Sequence, residues 1–185
     1  MHWNLLFFVR LLIVSFALIP CAYAEEEWTI DKSETMSYAR VSGEITHGDK
    51  LNFFIKSRQD CNKVSNTFSF YTYEKPGDIK QLEKKYIPIK INGREHAARV
   101  VSVFPFLMGY SVVFTMGTFP LNEYIYLLNN MYLEEKKFEI EIVDGLDFKA
   151  SKYFDIPNNH WKLDRLVPSL LEANKLCKEI SHIKS

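Results

Sequence analysis

The sequence has no excess of charge of either sign, since its 185 residues include 23 Lys and Arg against 23 Asp and Glu. Proteins that bind nucleic acid, or that adhere to a membrane surface electrostatically, normally carry an excess of basic residues. The basic pairs Lys84-Lys85 and Lys136-Lys137 each lie beside acidic residues, which is typical of a solvated surface. The charge balance therefore predicts no nucleic-acid partner.

Glycine and proline are also scarce, with seven of each, and the chain contains neither an internal repeat nor a low-complexity segment. Solenoids and linker-rich proteins would show one of these features. No apolar run after residue 24 approaches the roughly 20 residues that a membrane-spanning helix needs. The sequence therefore predicts one globular domain that does not insert stably into a membrane once a leader is removed.

The common catalytic signatures are missing: a Gly-x-Ser-x-Gly elbow, His-Glu-x-x-His, a phosphate-binding glycine loop and Cys-x-x-Cys. Four histidines follow residue 24, and none has a second ligand at metal spacing: His47, His96, His160 and His182. We therefore predict no catalytic residue, no metal and no cofactor. The alternative is an enzyme of an unfamiliar family, which requires His47, His96 or His160 to lie with carboxylates around a concave pocket.

The one long apolar stretch lies at the start of the chain. Residues 11–19 are Leu-Leu-Ile-Val-Ser-Phe-Ala-Leu-Ile, Pro20 ends the run, and Ala22 and Ala24 are the small residues that a signal peptidase selects. We predict a cleaved signal peptide over residues 1–24 and an exported domain over residues 25–185, periplasmic or secreted. Two alternatives stay open, an uncleaved anchor and a lipoprotein attached at Cys21.

Cleavage after Ala24 would leave two cysteines, Cys61 and Cys177. In an exported protein an even cysteine count is most simply explained by disulfide bonding. The alternative, a metal site, lacks histidines at ligand spacing. We therefore predict a Cys61–Cys177 disulfide. Because Cys177 falls on the apolar stripe of a predicted C-terminal helix, this bond should hold that helix against the sheet.

Alternation of apolar and polar residues is the main secondary-structure signal in this chain. It predicts a hairpin over residues 36–55, with turn-forming residues at 46–50. Asn92-Gly93 between alternating segments is the strongest short-range signal for a second hairpin. A strand over residues 107–116 has apolar or small residues on both faces, so we expect it near the centre of the sheet.

Two further predictions depend on proline and on turn residues. Pro88 lacks the N–H that a sheet ladder needs, so the strand over residues 86–91 should be a sheet edge or contain a bulge. Asp144-Gly145 predicts a turn between a strand over residues 136–143 and a returning strand over residues 148–156.

Apolar residues at three- and four-residue spacing predict two helices, near residues 121–134 and 165–180. The pattern as a whole indicates an α+β or mainly β domain. It would contain about eight strands in an antiparallel sheet or β-sandwich, with one or two helices packed on it.

Aromatic residues are the one abundant class, at 15% of the chain. Tyrosine suits protein interfaces because it buries apolar area while its hydroxyl forms a hydrogen bond. The candidate interface residues are Tyr71, Tyr73, Tyr110, Tyr124, Tyr126 and Tyr132. The alternative is that these rings form the rim of an aromatic core.

These observations predict a non-catalytic exported domain that binds a protein partner, such as an accessory subunit of a bacterial envelope or an immunity or inhibitor protein. Besides the unfamiliar enzyme, one more alternative stays open. A carrier of a small ligand or lipid would need a cavity between the sheet and the helix near residues 121–132.

Overall fold

Strands dominate the part of the chain that the structure, a computed structural model, describes, which is residues 28–46, 48–57 and 61–183. The predicted signal peptide and His47 lie outside the described residues. The strands are β1 (Thr29–Lys32), β2 (Met36–Ser42), β3 (Lys50–Lys56), β4 (Lys63–Thr72), β5 (Tyr86–Ile91), β6 (Arg94–Phe106), β7 (Gly109–Pro120), β8 (Phe138–Ile142) and β9 (Asn158–Trp161). The helices are α1 (Leu121–Glu135), α2 (Ala150–Tyr153) and α3 (Leu166–Ile183), and a 3-10 helix spans Ile79–Leu82.

All nine strands belong to one antiparallel sheet in the order β1-β2-β3-β4-β7-β6-β5-β8-β9, which curls into a half-barrel. The predicted α+β or mainly β class with an antiparallel sheet is therefore confirmed, and both predicted helices are present as α1 and α3. The β-sandwich variant does not form in the described residues, because every strand joins the same sheet. β7 is the middle strand of the order, as its two apolar faces predicted.

Residue alternation decides which side of the sheet is buried. In β2, Ala39 and Val41 are fully buried, whereas Tyr38 and Arg40 are half-buried, because successive side chains of a strand point to opposite faces. We call the face that carries the core the inner face and the opposite one the outer face. Large rings fill the inner face, among them Phe53, Phe68, Phe70, Phe114, Phe138 and Trp161.

The C-terminal helix covers the first half of the inner face. α3 packs against β1, β2 and β3, and its fully buried residues recur at three- and four-residue spacing: Leu166, Leu170, Ala173 and Cys177. Ser37 Oγ donates a hydrogen bond to the Ala173 carbonyl at 2.6 Å. The polar end of this buried serine is therefore satisfied by the helix backbone.

Cys61 and Cys177 form a disulfide with a Cα–Cα distance of 5.9 Å, which is the pairing predicted from the cysteine count. Cys61 lies just before β4 and Cys177 lies on α3, so the bond ties the helix to the sheet. Beside it, Asn174 Nδ2 donates to the Cys61 carbonyl at 3.1 Å. Among the described helices, none is long and apolar enough to cross a membrane.

The prediction that Pro88 confines its strand to an edge is wrong, because β5 lies between β6 and β8. β8 pairs only with Ile89, Lys90 and Ile91. The Pro88 carbonyl accepts a last hydrogen bond from Val143 N at 3.1 Å. The missing N–H of Pro88 falls in this terminal pair, so the proline removes only the last hydrogen bond of the ladder.

The predicted strand over residues 148–156 is also wrong. That segment contains α2, and the strand that pairs with β8 is β9. Asp144 explains the difference, because its carboxylate accepts hydrogen bonds from Ala150 N at 2.9 Å and Lys149 Nζ at 2.7 Å. These local bonds favour a helical turn at the position where a strand would start.

We predict that loss of the disulfide lowers the free energy of unfolding by about 2–5 kcal/mol, because the unfolded chain regains the freedom that a 116-residue separation allows. The measurement is urea denaturation of the Cys61→Ala/Cys177→Ala double variant against the oxidised protein. Wild-type protein under reducing conditions serves as the control and should unfold near the midpoint of the variant. Equal midpoints for oxidised and reduced wild type would contradict the prediction.

Candidate functional site

The six candidate tyrosines do not form one surface. Three of them lie in or against the core: Tyr110, Tyr124 and Tyr132. Tyr124 is 4% exposed, and its hydroxyl donates to Asn66 Oδ1 at 3.1 Å. Burial raises the pKa of Tyr124, so this phenol stays neutral. Tyr126 is exposed on α1, away from the other exposed rings.

Tyr71 and Tyr73, at the end of β4, are the only two of the six whose rings contact each other, with centroids 5.0 Å apart. The Tyr71 ring also meets the Phe106 ring edge-on at 6.1 Å. Phe106 is the last residue of β6, so these contacts lead to the tip of the β6–β7 hairpin. Edge-to-face packing of this kind adds stability to the buried area itself.

The tip of the β6–β7 hairpin is the most apolar exposed part of the described chain. Leu107 is 83% exposed and Met108 is 70% exposed, and three aromatic neighbours are exposed by 43–56%. Large contiguous patches of exposed apolar side chains are rare on soluble monomers, and where they occur they commonly mark an interaction surface. We call these residues the hairpin patch: Tyr73, Phe104, Phe106, Leu107 and Met108.

One residue of the hairpin patch, Leu107, has a backbone conformation that leucine disfavours. Leu107 has φ 49° at the first position of the turn. The other tight hairpin places Asn92 and Gly93 at φ 46° and 78°, residues that tolerate the left-handed region. A leucine there costs roughly 1–2 kcal/mol. The turn therefore keeps an exposed leucine where asparagine or glycine would be more stable.

Gly109 holds the base of the hairpin tight against β4. A Cβ atom at this position would lie 2.0 Å from the Thr72 carbonyl oxygen and 2.9 Å from the Tyr71 hydroxyl. Only glycine permits so close an approach. The close packing of Gly109 against β4 therefore fixes the position of the hairpin patch.

A groove of about 520 Å³ runs along the outer face next to the hairpin patch. Its volume lies within the range of about 300–1,000 Å³ found for ligand sites. Five strands, β2, β3, β4, β6 and β7, contribute to its lining, which includes Arg40, Lys50, Asn52, Phe54, Phe104 and Phe106. Phe104 and Phe106 belong to both features, so the groove and the patch form one continuous surface.

Two cations lie on the floor of this outer groove. Arg40 Nε donates to Asn52 Oδ1 at 2.6 Å, and the guanidinium lies 5.0 Å from the centroid of the Tyr38 ring. Lys50 Nζ donates to Ser42 Oγ at 2.5 Å. Within the described residues neither cation forms an ion pair with a carboxylate. Burial, and then the charge of Arg40, lower the pKa of Lys50.

Beneath the groove, the curled sheet is closed by a buried cluster around Asn159 of β9. The Asn159 amide donates to the Thr46 carbonyl at 3.2 Å and to Asp49 Oδ2 at 2.7 Å. Its Oδ1 accepts from Ile45 N at 3.0 Å and from His160 N at 2.8 Å. Asn159 therefore uses its full hydrogen-bonding capacity to join the β2–β3 connection to the far edge of the sheet.

Asp49 links the same cluster to the hairpin patch. Its Oδ1 accepts from Tyr71 N at 2.6 Å, and Tyr71 carries the ring that supports Phe106. Burial raises the pKa of Asp49 to about 7, although the hydrogen bonds from Asn159 and Tyr71 lower it in part. We call Asp49, Asn159 and the backbone groups they bind the closure cluster.

The histidines are not brought together. His96 is exposed on β6, whereas His160 on β9 lies 2.7 Å from Glu44 Oε2. The side chains of His47 and His182 lie outside the described residues. Among those that are described, no group of three His, Cys, Asp or Glu residues could hold a metal ion. The clustering that an enzyme alternative requires is not present in this part of the chain.

The carrier alternative also lacks a suitable cavity in the described residues. The space between α1 and the sheet is occupied by buried α1 side chains: Leu121, Tyr124, Ile125 and Leu128. A cavity of about 610 Å³ lies elsewhere, between the start of α1 and α3. Its lining includes Glu123, Lys178 and Glu179, which do not suit a lipid chain.

Sequence reasoning missed most of the hairpin patch and the floor of the groove. Residues 104–108 are Phe-Pro-Phe-Leu-Met, and turns are normally marked by glycine, asparagine, aspartate or serine. An apolar turn between two strands was the available signal. Arg40 and Lys50 gave no such signal, since single cations on the wet side of a strand are ordinary.

In comparisons with known proteins, no protein-family model, curated protein or solved structure matches this chain. The outer groove, the hairpin patch and the closure cluster are therefore the observations on which a functional proposal depends.

We predict that stability falls as pH rises from about 4 to about 7. The folded pKa of Asp49 is raised, so its contribution is fully present below the unfolded pKa and is lost as pH rises through about 7. The slope should reach about 1.4 kcal/mol per pH unit. The measurement is urea denaturation across this range.

Asp49→Asn should flatten this slope, because the titrating group is gone. Asp147→Asn, at an exposed position, is the matched control and should leave the slope unchanged. A slope that persists in Asp49→Asn would show that a different group is responsible.

Proposed function

We propose that this chain is an exported, non-catalytic domain that binds a protein partner through the hairpin patch and the adjoining outer groove. The observation that carries the proposal is the exposed apolar turn, in which Leu107 is 83% exposed at φ 49°. Strained conformations persist where the surrounding structure enforces them, and they concentrate at functional positions.

The chemistry of the hairpin patch suits a protein surface. Aromatic residues and methionine are enriched in interfaces, and the patch consists of three aromatic rings, a leucine and a methionine. Methionine adapts its shape to the surface it meets. The Tyr71 ring packs against two rings of the patch, Tyr73 and Phe106, so little conformational entropy is lost on binding.

Export is supported by two observations. The Cys61–Cys177 disulfide is typical of an oxidising compartment. The apolar stretch at residues 11–19, followed by Pro20 and small residues, is typical of a signal peptide. A binding domain outside the cytoplasm would gain stability from the disulfide, because an oxidising compartment keeps the bond formed.

We expect a photo-crosslinking amino acid at Leu107 to form a discrete adduct with one other protein in the cells that express the chain. The same label at Leu146, which is fully exposed on another loop, is the matched control. Phe106→Ser in the Leu107-labelled chain should abolish the adduct, because it removes the ring between the patch and Tyr71. Mass spectrometry of the adduct is the measurement.

Three results would contradict the proposal. The first is a label at Leu107 that reacts no more than the label at Leu146, and the second is an adduct that persists in Phe106→Ser. The third is an adduct that contains a second copy of this chain, together with a dimer in sedimentation.

A further inference from the structure

The outer groove holds two positive charges that the described residues leave without a carboxylate. The ion pairs within the described residues involve other lysines, arginines and His160. Asp31 contacts the Tyr38 hydroxyl at 3.5 Å and the Lys32 backbone N–H, so it does not neutralise Arg40. The charge of Asp49 raises the pKa of Lys50 in part, but the Asp49 oxygens accept hydrogen bonds from Tyr71 N and Asn159 Nδ2 and form no ion pair with Lys50 among the described residues.

Keeping two cations side by side in a half-buried groove has a cost. Arg40 and Lys50 are both half-buried, and burial, followed by the charge of Arg40, lowers the pKa of Lys50. An anion between them would relieve the repulsion and gain charge-assisted hydrogen bonds in a site partly shielded from water. The arrangement is therefore incomplete without a negatively charged group.

The size and lining of the groove favour a segment of a protein. A volume of about 520 Å³ admits a few residues of an extended chain but not a folded domain. Phe54, Phe104 and Phe106 form apolar walls, while Asn52, Thr67 and Ser69 offer amide and hydroxyl groups along the floor. Successive side chains of an extended peptide point in opposite directions. Polar side chains could therefore face the polar floor of the groove while apolar ones contact its aromatic walls.

The charge pattern favours carboxylates over a polyanion. Arginine binds a carboxylate with two parallel hydrogen bonds, and the Nη atoms of Arg40 remain available because only Nε is used within the described residues. A nucleic acid would need a long track of basic residues, and the net charge of the whole chain is zero. Two cations suit one or two carboxylates.

We infer that the outer groove binds an acidic, extended segment of the partner protein, with a carboxylate seated between Arg40 and Lys50 and apolar neighbours against Phe104 and Phe106. The inference rests on the proposed function, since the same partner would contact the hairpin patch. It goes further, because it names the chemistry that the partner must supply.

The test is selection of a phage-displayed library of random dodecapeptides on the purified, disulfide-bonded protein, read by sequencing. We expect enrichment of peptides in which Asp or Glu lies next to aromatic or aliphatic residues. The Arg40→Gln/Lys50→Gln variant should lose the acidic preference. Lys85→Gln, which removes an exposed cation outside the groove, is the matched control and should retain it.

The most enriched peptide is then measured by fluorescence polarisation beside a version with amides in place of its carboxylates. We expect the amide version to bind about tenfold more weakly or worse, as for loss of a charged hydrogen bond. The Arg40→Gln/Lys50→Gln variant should bind the acidic peptide and the amide peptide equally weakly. Thermal unfolding checks that Arg40→Gln and Lys50→Gln, tested singly, are folded.

Several outcomes would overturn the inference: no enrichment, enrichment without acidic residues, or equal affinity for the acidic and amide peptides. Stronger displacement by an oligonucleotide than by the free acidic peptide would point to a polyanion site instead. If selection fails while the Leu107 adduct forms, the proposed function stands and only the acidic groove is wrong. If the adduct also fails to form, both are wrong.

Discussion

Closure of the curled sheet depends on one saturated polar residue, Asn159. Its amide forms four hydrogen bonds, of which three join β9 to the β2–β3 connection and one is local to β9. A backbone hydrogen bond from Glu44 N to the His160 carbonyl runs beside them. Gly43 is required there, since a Cβ atom would lie 2.2 Å from Asn159 Nδ2. A buried hydrogen-bond network is stabilising when every member is satisfied. Asp49 extends this network by accepting a hydrogen bond from the Tyr71 backbone N–H.

The core lies on one face of the sheet and the proposed binding surface on the other. The inner face is filled with aromatic rings and covered by α3, which the disulfide and the bond from Ser37 to the Ala173 carbonyl hold in place. Within the part of the chain that the structure describes, no helix covers the outer face over β3, β4 and β7, which carries the groove. Because the inner face supplies the core, the outer face is free to keep groups that cost stability, such as the adjacent charges of Arg40 and Lys50.

The two tight hairpins show the same division at the level of single residues. Asn92-Gly93 follows the residue preferences of tight hairpin turns, and this turn serves only to set the register of β5 and β6. Leu107-Met108 breaks them, although Gly109 and Tyr71 hold its base firmly. Local preference and tertiary structure disagree at the hairpin patch, and such disagreement is expected at functional sites more than elsewhere.

The sequence by itself determined what depends on local pattern: strand alternation in β2, the Asn92-Gly93 turn, the apolar stripe of α3, and the pairing of the only two cysteines in the described residues. Strand order was not available to it, because pairing of β5 with β8 and the late arrival of β9 depend on contacts between distant residues. The site was hidden for the same reason. Arg40, Lys50 and Phe106 are ordinary residues along the chain, and only the packing of five strands side by side, from β2 to β6 in the sheet order, places them on one surface.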